Sequence, residues 1–226
     1  MGDAVGRMLA SAVGIALSPL PLTAVVLMLA GPRGRTAAAA FALGWVAALS
    51  AVATAAVLVG SGLDTSGPHP AWSSWFGLAL GGVLLGLGAA AWRARPREGR
   101  VHGPPVWLRA VDRLGPARAA GVAVALVAAD PKNLVLAVGG GAAIATSAAD
   151  GGDKAVAVML MVLLGSMGTL LPLAVHLLGL FDGERSAKVL GEWKAWASVH
   201  SSAITPVVLV VLGSGYVGDA LSGLTR

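Results

Sequence analysis

Two short polar clusters interrupt long apolar stretches of this chain: Ser18-Pro19-Leu20-Pro21 and Asp130-Pro131-Lys132-Asn133. Serine and aspartate both favour the cap position before a helix, and proline suits the first helical position after it. Proline also lacks an N–H and drives its predecessor out of helical geometry, so the preceding helix must end or kink. A membrane helix broken in this way must lie beside protein or water, because bare backbone cannot face hydrocarbon. The half-helices opening at Pro19 and Pro131 present amino ends with unpaired N–H groups and about half a positive charge, which suit an anion. Lys132 adds a full positive charge, which at mid-membrane costs at least ~2.5–3.5 kcal/mol on insertion scales unless it is paired or wet. Ser18, Pro19, Pro21, Asp130, Pro131, Lys132 and Asn133 are therefore the candidate substrate-binding residues, and phosphate, sulfate or carboxylate is the chemistry they suit. The alternative is structural: Asp130 caps its half-helix, Lys132 snorkels or pairs with Asp130, and Asn133 steadies the turn.

The elements that position these clusters are membrane spans. The 226 residues are 56% hydrophobic and only 12% charged, with a mean hydropathy of +0.79, which is outside the range of ordinary soluble domains. A bilayer core of about 30 Å needs roughly 20 residues per helix, and six stretches qualify. They are Val5–Gly31, Arg35–Leu63, Trp72–Trp92, Ala117–Ser147, Lys154–Leu180 and Ser201–Leu221. The fold class predicted is an all-α polytopic membrane protein. Its parts are a first three-helix repeat (1–92), a basic loop with an interfacial helix (93–116) and a second three-helix repeat (117–226). Three is odd, so the second half enters the membrane upside down, and the Pro-broken helices are the first and the fourth. Paired breaks in a 3+3 inverted repeat point to the binding site of a secondary transporter.

Charge fixes the expected orientation. With the amino terminus outside, twelve Lys and Arg fall on the cytoplasmic side, from Arg33 to Lys194, and three (Arg7, Lys154 and Arg226) on the outer side. That bias places both termini outside and the chain in the inner (plasma) membrane as a multi-pass protein. The first span, though near the amino terminus, reads as a retained helix, since Pro19 and Pro21 cut it where a cleavable signal core should continue. Val106, Trp107, Ala110, Val111 and Leu114 form one apolar face, and Val189, Trp193, Trp196 and His200 another. Such faces lie among headgroups or simply join spans.

Other chemistries have less support. Cysteine is absent and the four histidines (His69, His102, His176 and His200) lie far apart, so no metal site and no cofactor is expected. No nucleophile–base arrangement sits in the spans, so an enzyme is not expected. The net charge of +5 reads as topology, and no nucleic-acid partner is called for. His176 reads as interfacial. Gly77, Gly81, Gly82 and Gly86 read as close-contact positions, Gly139-Gly140-Gly141 as a hinge, and Gly165, Gly168 and Pro172 as making span five deformable.

Asp130-Pro131-Lys132-Asn133-Leu134 resembles the Asn-Pro-Lys motif that opens the second half of lysine-exporter (LysE) superfamily members. Ser18-Pro19-Leu20-Pro21, Gly31-Pro32-Arg33-Gly34-Arg35 and Gly44-Trp45 resemble their first half. With the basic loop and Glu192-Trp193-Lys194-Ala195-Trp196 before the last span, nearly the whole chain is similar to the GAP family of glycolipid- and sulfolipid-addressing (Sap-like) proteins. Asp130 stands where asparagine is common. The resemblance implies an exporter, flippase or export-assisting protein for an anionic lipid or glycolipid of the cell envelope, with membrane lipids as its surroundings. Two other readings stay open: a proton-coupled exporter of a small solute such as an amino acid, and a scaffold docking lipid-synthesis or export proteins. A homo-oligomer also stays open.

Overall fold

Proline and glycine set the element boundaries in the computed structural model, which describes residues 2–62, 71–94, 111, 113–179 and 183–225. Helices occupy nearly all of them: α1 (Gly2–Ala16), α2 (Pro19–Leu29), α3 (Gly34–Gly62), α4 (Ala71–Arg93), α5 (Pro116–Ala129), α6 (Pro131–Ala145), α7 (Gly151–Gly165), α8 (Met167–Leu177) and α9 (Gly183–Leu224). There is no strand among the described residues.

Both expected breaks are present. Ser18 (φ −71°, ψ 118°) and Asp130 (φ −80°, ψ 108°) are extended, as a residue before proline must be. The chain bends by 49° between α1 and α2 and by 71° between α5 and α6. A third break, of 64°, divides span five at Ser166. This is the segment expected to be deformable, with Pro172 inside α8, six residues past the break. Its missing N–H leaves the carbonyl four residues earlier, at Gly168 within α8, without a helical partner. Gly168 completes the bend, since a Cβ there would lie 2.7 Å from the Ala16 carbonyl oxygen.

Packing contacts give the directions of the spans. Gly44 meets Ala120 and Gly60 meets Ala145, so α3 runs parallel to α5–α6. Ile15 and Ala16 meet Gly165 and Gly168, whereas Gly14 meets Leu136 and Ser11 meets Gly140. Hence α1 lies along the α7–α8 junction and antiparallel to α6. In the same way Gly77 meets Ala220 and Gly88 meets Val210, which makes α4 and α9 antiparallel. Gly77 and Gly81 are close-contact positions, as expected, but Gly82 and Gly86 face away with nothing within 4 Å.

Three glycines of α6 have a different role from the one expected. Gly139, Gly140 and Gly141 are buried, and an added Cβ would lie 2.7 Å from the Tyr216 hydroxyl, 2.5 Å from Met161 Cε and 2.6 Å from Ala56 Cβ, respectively. They let α6 approach three neighbours at once, so the local backbone is held by packing and is no loose hinge.

The distribution of side chains is that of a membrane protein. Leu43, Leu58, Val59 and Val211 are each more than 60% exposed, and an apolar exterior of this extent needs a lipid solvent. Three helical segments (Gly34–Ser61, Ser74–Arg93 and Pro206–Leu224) are long and apolar enough to cross a bilayer alone. Counting each bent pair as one span gives up to six. At 42 residues, α9 is about 63 Å long, twice a bilayer core. The stretch expected to lie flat before the last span is instead continuous with it. The side-chain face of Trp193, Trp196 and His200, and all but residues 111, 113 and 114 of the basic-loop helix, lie outside the described residues.

Candidate functional site: the interlocked helix breaks

At the first break the end of α1 tightens. Leu17 N–H donates to the Val13 carbonyl and Ser18 N–H to the Ile15 carbonyl, both at 3.0 Å, which passes over the carbonyl of Gly14. Helix α2 then opens with proline at its first and third positions, so of the early amides left free by a helix start only that of Leu20 remains. The Ser18 side chain makes no cap bond to them. The amino end of α2 thus offers an anion much less than the sequence alone suggests.

The second break is capped by its own residues. Asp130 Oδ1 accepts from Lys132 N–H at 3.0 Å, and Asp130 Oδ2 accepts from Asn133 Nδ2 at 3.0 Å. A capping carboxylate of this kind contributes about 1 kcal/mol to its helix. Lys132 does not end on Asp130: its Nζ donates to the Gly14 carbonyl at 3.3 Å. The lysine therefore supplies the partner that the break in α1 denied to Gly14, and it places a cation at a helix carboxyl end, where the dipole favours it. Asn133 Nδ2 also reaches Ser18 Oγ at 3.5 Å.

The two breaks are thus bonded directly to each other, through residue pairs 118 and 115 apart in sequence. Ser18 (2% exposed), Pro21 and Asn133 (0%) are buried. Pro19, Asp130 and Lys132 are half-buried, and Pro131 is exposed and takes no part beyond starting α6. Electrically the site is close to balanced, with Asp130 on the positive end of α6 and Lys132 on the negative end of α1. Of the three donors an ammonium carries, one is engaged within the chain.

Unpartnered polar atoms nearby are a feature of the packing. Among the described residues, Trp45 Nε1, Asn133 Oδ1 and Ser166 Oγ are buried with no hydrogen-bond partner in the chain. Each such group costs about 1–3 kcal/mol. Ser166 follows Gly165, which packs on Ile15 and Leu49, and precedes Gly168, which packs on Ala16. The third break therefore adjoins the last turn of α1, beside the other two. Trp45 lies one helical turn before Leu49 on α3, stacked on Phe41 with ring centroids 6.4 Å apart. Only the glycine and proline spacing around Ser166 hints at its place. This arrangement offers hydrogen-bond donors and acceptors suited to holding a polar group.

Comparison with curated proteins and with solved structures returns no match. Comparison with family models matches residues 8–222 to Sap, the sulfolipid-1-addressing protein. That match runs through all three breaks and every candidate residue. The chain belongs to the sulfolipid-1-addressing protein family.

Proposed function

We propose that the chain is an exporter, or an export-assisting protein, for a lipid of the cell envelope whose headgroup is handled at the interlocked breaks. The observation that carries this reading is the direct bonding of Lys132 to Gly14 and of Asn133 to Ser18 in a chain of a lipid-addressing family. Breaks that meet inside a bundle are where transporters bind their cargo. The remaining donors of Lys132 suit an anionic substituent such as a sulfate or phosphate on a lipid or glycolipid.

The pairing of helices supports a 3+3 inverted repeat. Exchanging α1–α2 with α5–α6, α3 with α7–α8 and α4 with α9 turns the α3–α5 contact into the α7–α1 contact. It also turns α3–α6 into α8–α2 and leaves α4–α9 as itself, and all these contacts occur. The charge bias of the loops supports an inner-membrane location with both termini outside.

The test is transbilayer movement. Purified protein in vesicles, with a lipid labelled on its headgroup, should accelerate loss of the label to an impermeant quencher relative to empty vesicles. An unchanged rate for labelled glycolipid and labelled sulfated lipid alike would refute transport by the chain alone. A second reading, as a docking scaffold, has one feature in its favour: α9 extends over twenty residues before the candidate span that begins at Pro206. Retained function after exchange of residues 183–200 would remove it.

A further inference from the structure

The bend in span five is unused by the reading above, and its serine is chemically unusual. Ser147, just past the end of α6, and Ser214 and Ser222 on α9 each donate to a carbonyl three or four residues back, a common habit of serine in and beside helices. Ser166 does not. Its hydroxyl is fully buried and has no partner in the chain, while its own carbonyl accepts from Thr169 N–H and Thr169 Oγ1. Asn133, bonded to Ser18 just past the end of α1, carries an Oδ1 that is also buried and without a partner. The orientation of that amide is fixed by chemistry. Asp130 accepts from Asn133 Nδ2 at 3.0 Å, and a carboxylate accepts only, so the oxygen must be the free atom.

These two atoms select their ligand. An acceptor oxygen repels sulfate, phosphate or carboxylate oxygens, and a second cation beside Lys132 is disfavoured by like charge. A hydroxyl meets both demands, because it donates to Asn133 Oδ1 and exchanges a hydrogen bond with Ser166 Oγ. We propose that the break in span five is the third wall of the site, and that Ser166 and Asn133 bind an uncharged, hydroxyl-bearing part of the headgroup beside Lys132. This rests on the transport reading and adds to it a polyol subsite distinct from the charged one. Access to it requires the bend at Ser166 to move, since Gly168 is closed against Ala16.

The natural absence of cysteine makes the test clean. The full chain carrying Ser166→Cys, in lipid nanodiscs, is treated with methyl methanethiosulfonate with and without n-dodecyl glucoside or n-dodecyl phosphate. With glucoside at about ten times its Kd, modification should slow roughly tenfold, following the factor 1 + [L]/Kd. The phosphate should leave the rate within about twofold of the free value, as expected from the same factor for a ligand that does not occupy the subsite. Glucoside should likewise leave Ser214→Cys, on the exposed face of α9, unprotected. No modification under any condition, modification that neither amphiphile slows, or equal protection by phosphate would each overturn the proposal. Ser166→Ala, which preserves packing, should weaken glucoside protection of a thiol introduced by Ser18→Cys; unchanged protection there would also count against it. Vesicles in which the wild type moves lipid, while the thiol of the Ser166→Cys variant stays unprotected, would defeat this subsite alone. Protection without lipid movement would defeat the transport reading and leave the subsite.

Discussion

Replacing Lys132 by methionine separates charge from bulk. The substitution removes the bond from Nζ to the Gly14 carbonyl, and hydrogen bonds to charged groups contribute about 1.5–3 kcal/mol. It also removes a cation whose presence at the centre of a membrane helix costs about 2.5–3.5 kcal/mol. The two effects oppose each other and are similar in size, so folding stability should change little. Headgroup binding has no such offset, and losing one charge-assisted contact of that strength lowers affinity roughly tenfold or more. Lys132→Met should therefore insert, purify and melt close to the wild type while export falls at least about tenfold. Lys132→Arg keeps the charge with altered geometry and should retain part of the activity. The assay is the headgroup-label experiment in vesicles, run beside a thermal melt of each variant. Wild-type export by the methionine variant would show that Lys132 serves only to cap α1. Loss of export together with collapse of the melt would refute the energetic argument.

Asp130→Asn keeps the cap and should be tolerated, whereas Asp130→Ala should destabilise by about 1 kcal/mol, read as a lower melting temperature. Gly81→Leu places a Cβ 2.8 Å from the Gly213 carbonyl and should cost about 1–3 kcal/mol by overpacking. Gly82→Leu, with nothing within 4 Å, should stay within about 0.5 kcal/mol of the wild type, and equal melts would dissociate the α4–α9 crossing from stability. Topology is checked by single cysteines: an impermeant reagent on intact cells should label Gly67→Cys and spare Arg100→Cys, and the reverse pattern would invert the orientation.

What can be read from the sequence follows from where each signal resides. Pro19 and Pro131 act through their own covalent geometry, so both breaks and the residues before them are visible at once. Their meeting follows from the repeat, but the partner of Lys132 does not. Gly14 contributes only a backbone carbonyl, which carries no side-chain signature, and its availability depends on how α1 tightens at Ser18. At the break around Ser166, Gly168 accepts the Ala16 carbonyl, and that close approach is tertiary. The run Gly139-Gly140-Gly141 reads as loose because glycine permits both freedom and close contact, and only its neighbours decide which. Burial of Trp45 Nε1, Asn133 Oδ1 and Ser166 Oγ without partners is likewise a property of the packed bundle.

The central claim is that the three breaks hold the lipid headgroup, and the most direct measurement is photolabelling. A dialkyl glucoside carrying a diazirine on its sugar is mixed with the purified chain in nanodiscs, irradiated, and its adducts are mapped by mass spectrometry. Adducts should concentrate in residues 14–21, 130–136 and 163–169 and fall when unlabelled glucoside competes. Adducts confined to the lipid-facing surface around Leu43, Leu58 and Val211, unaffected by competitor, would contradict the claim.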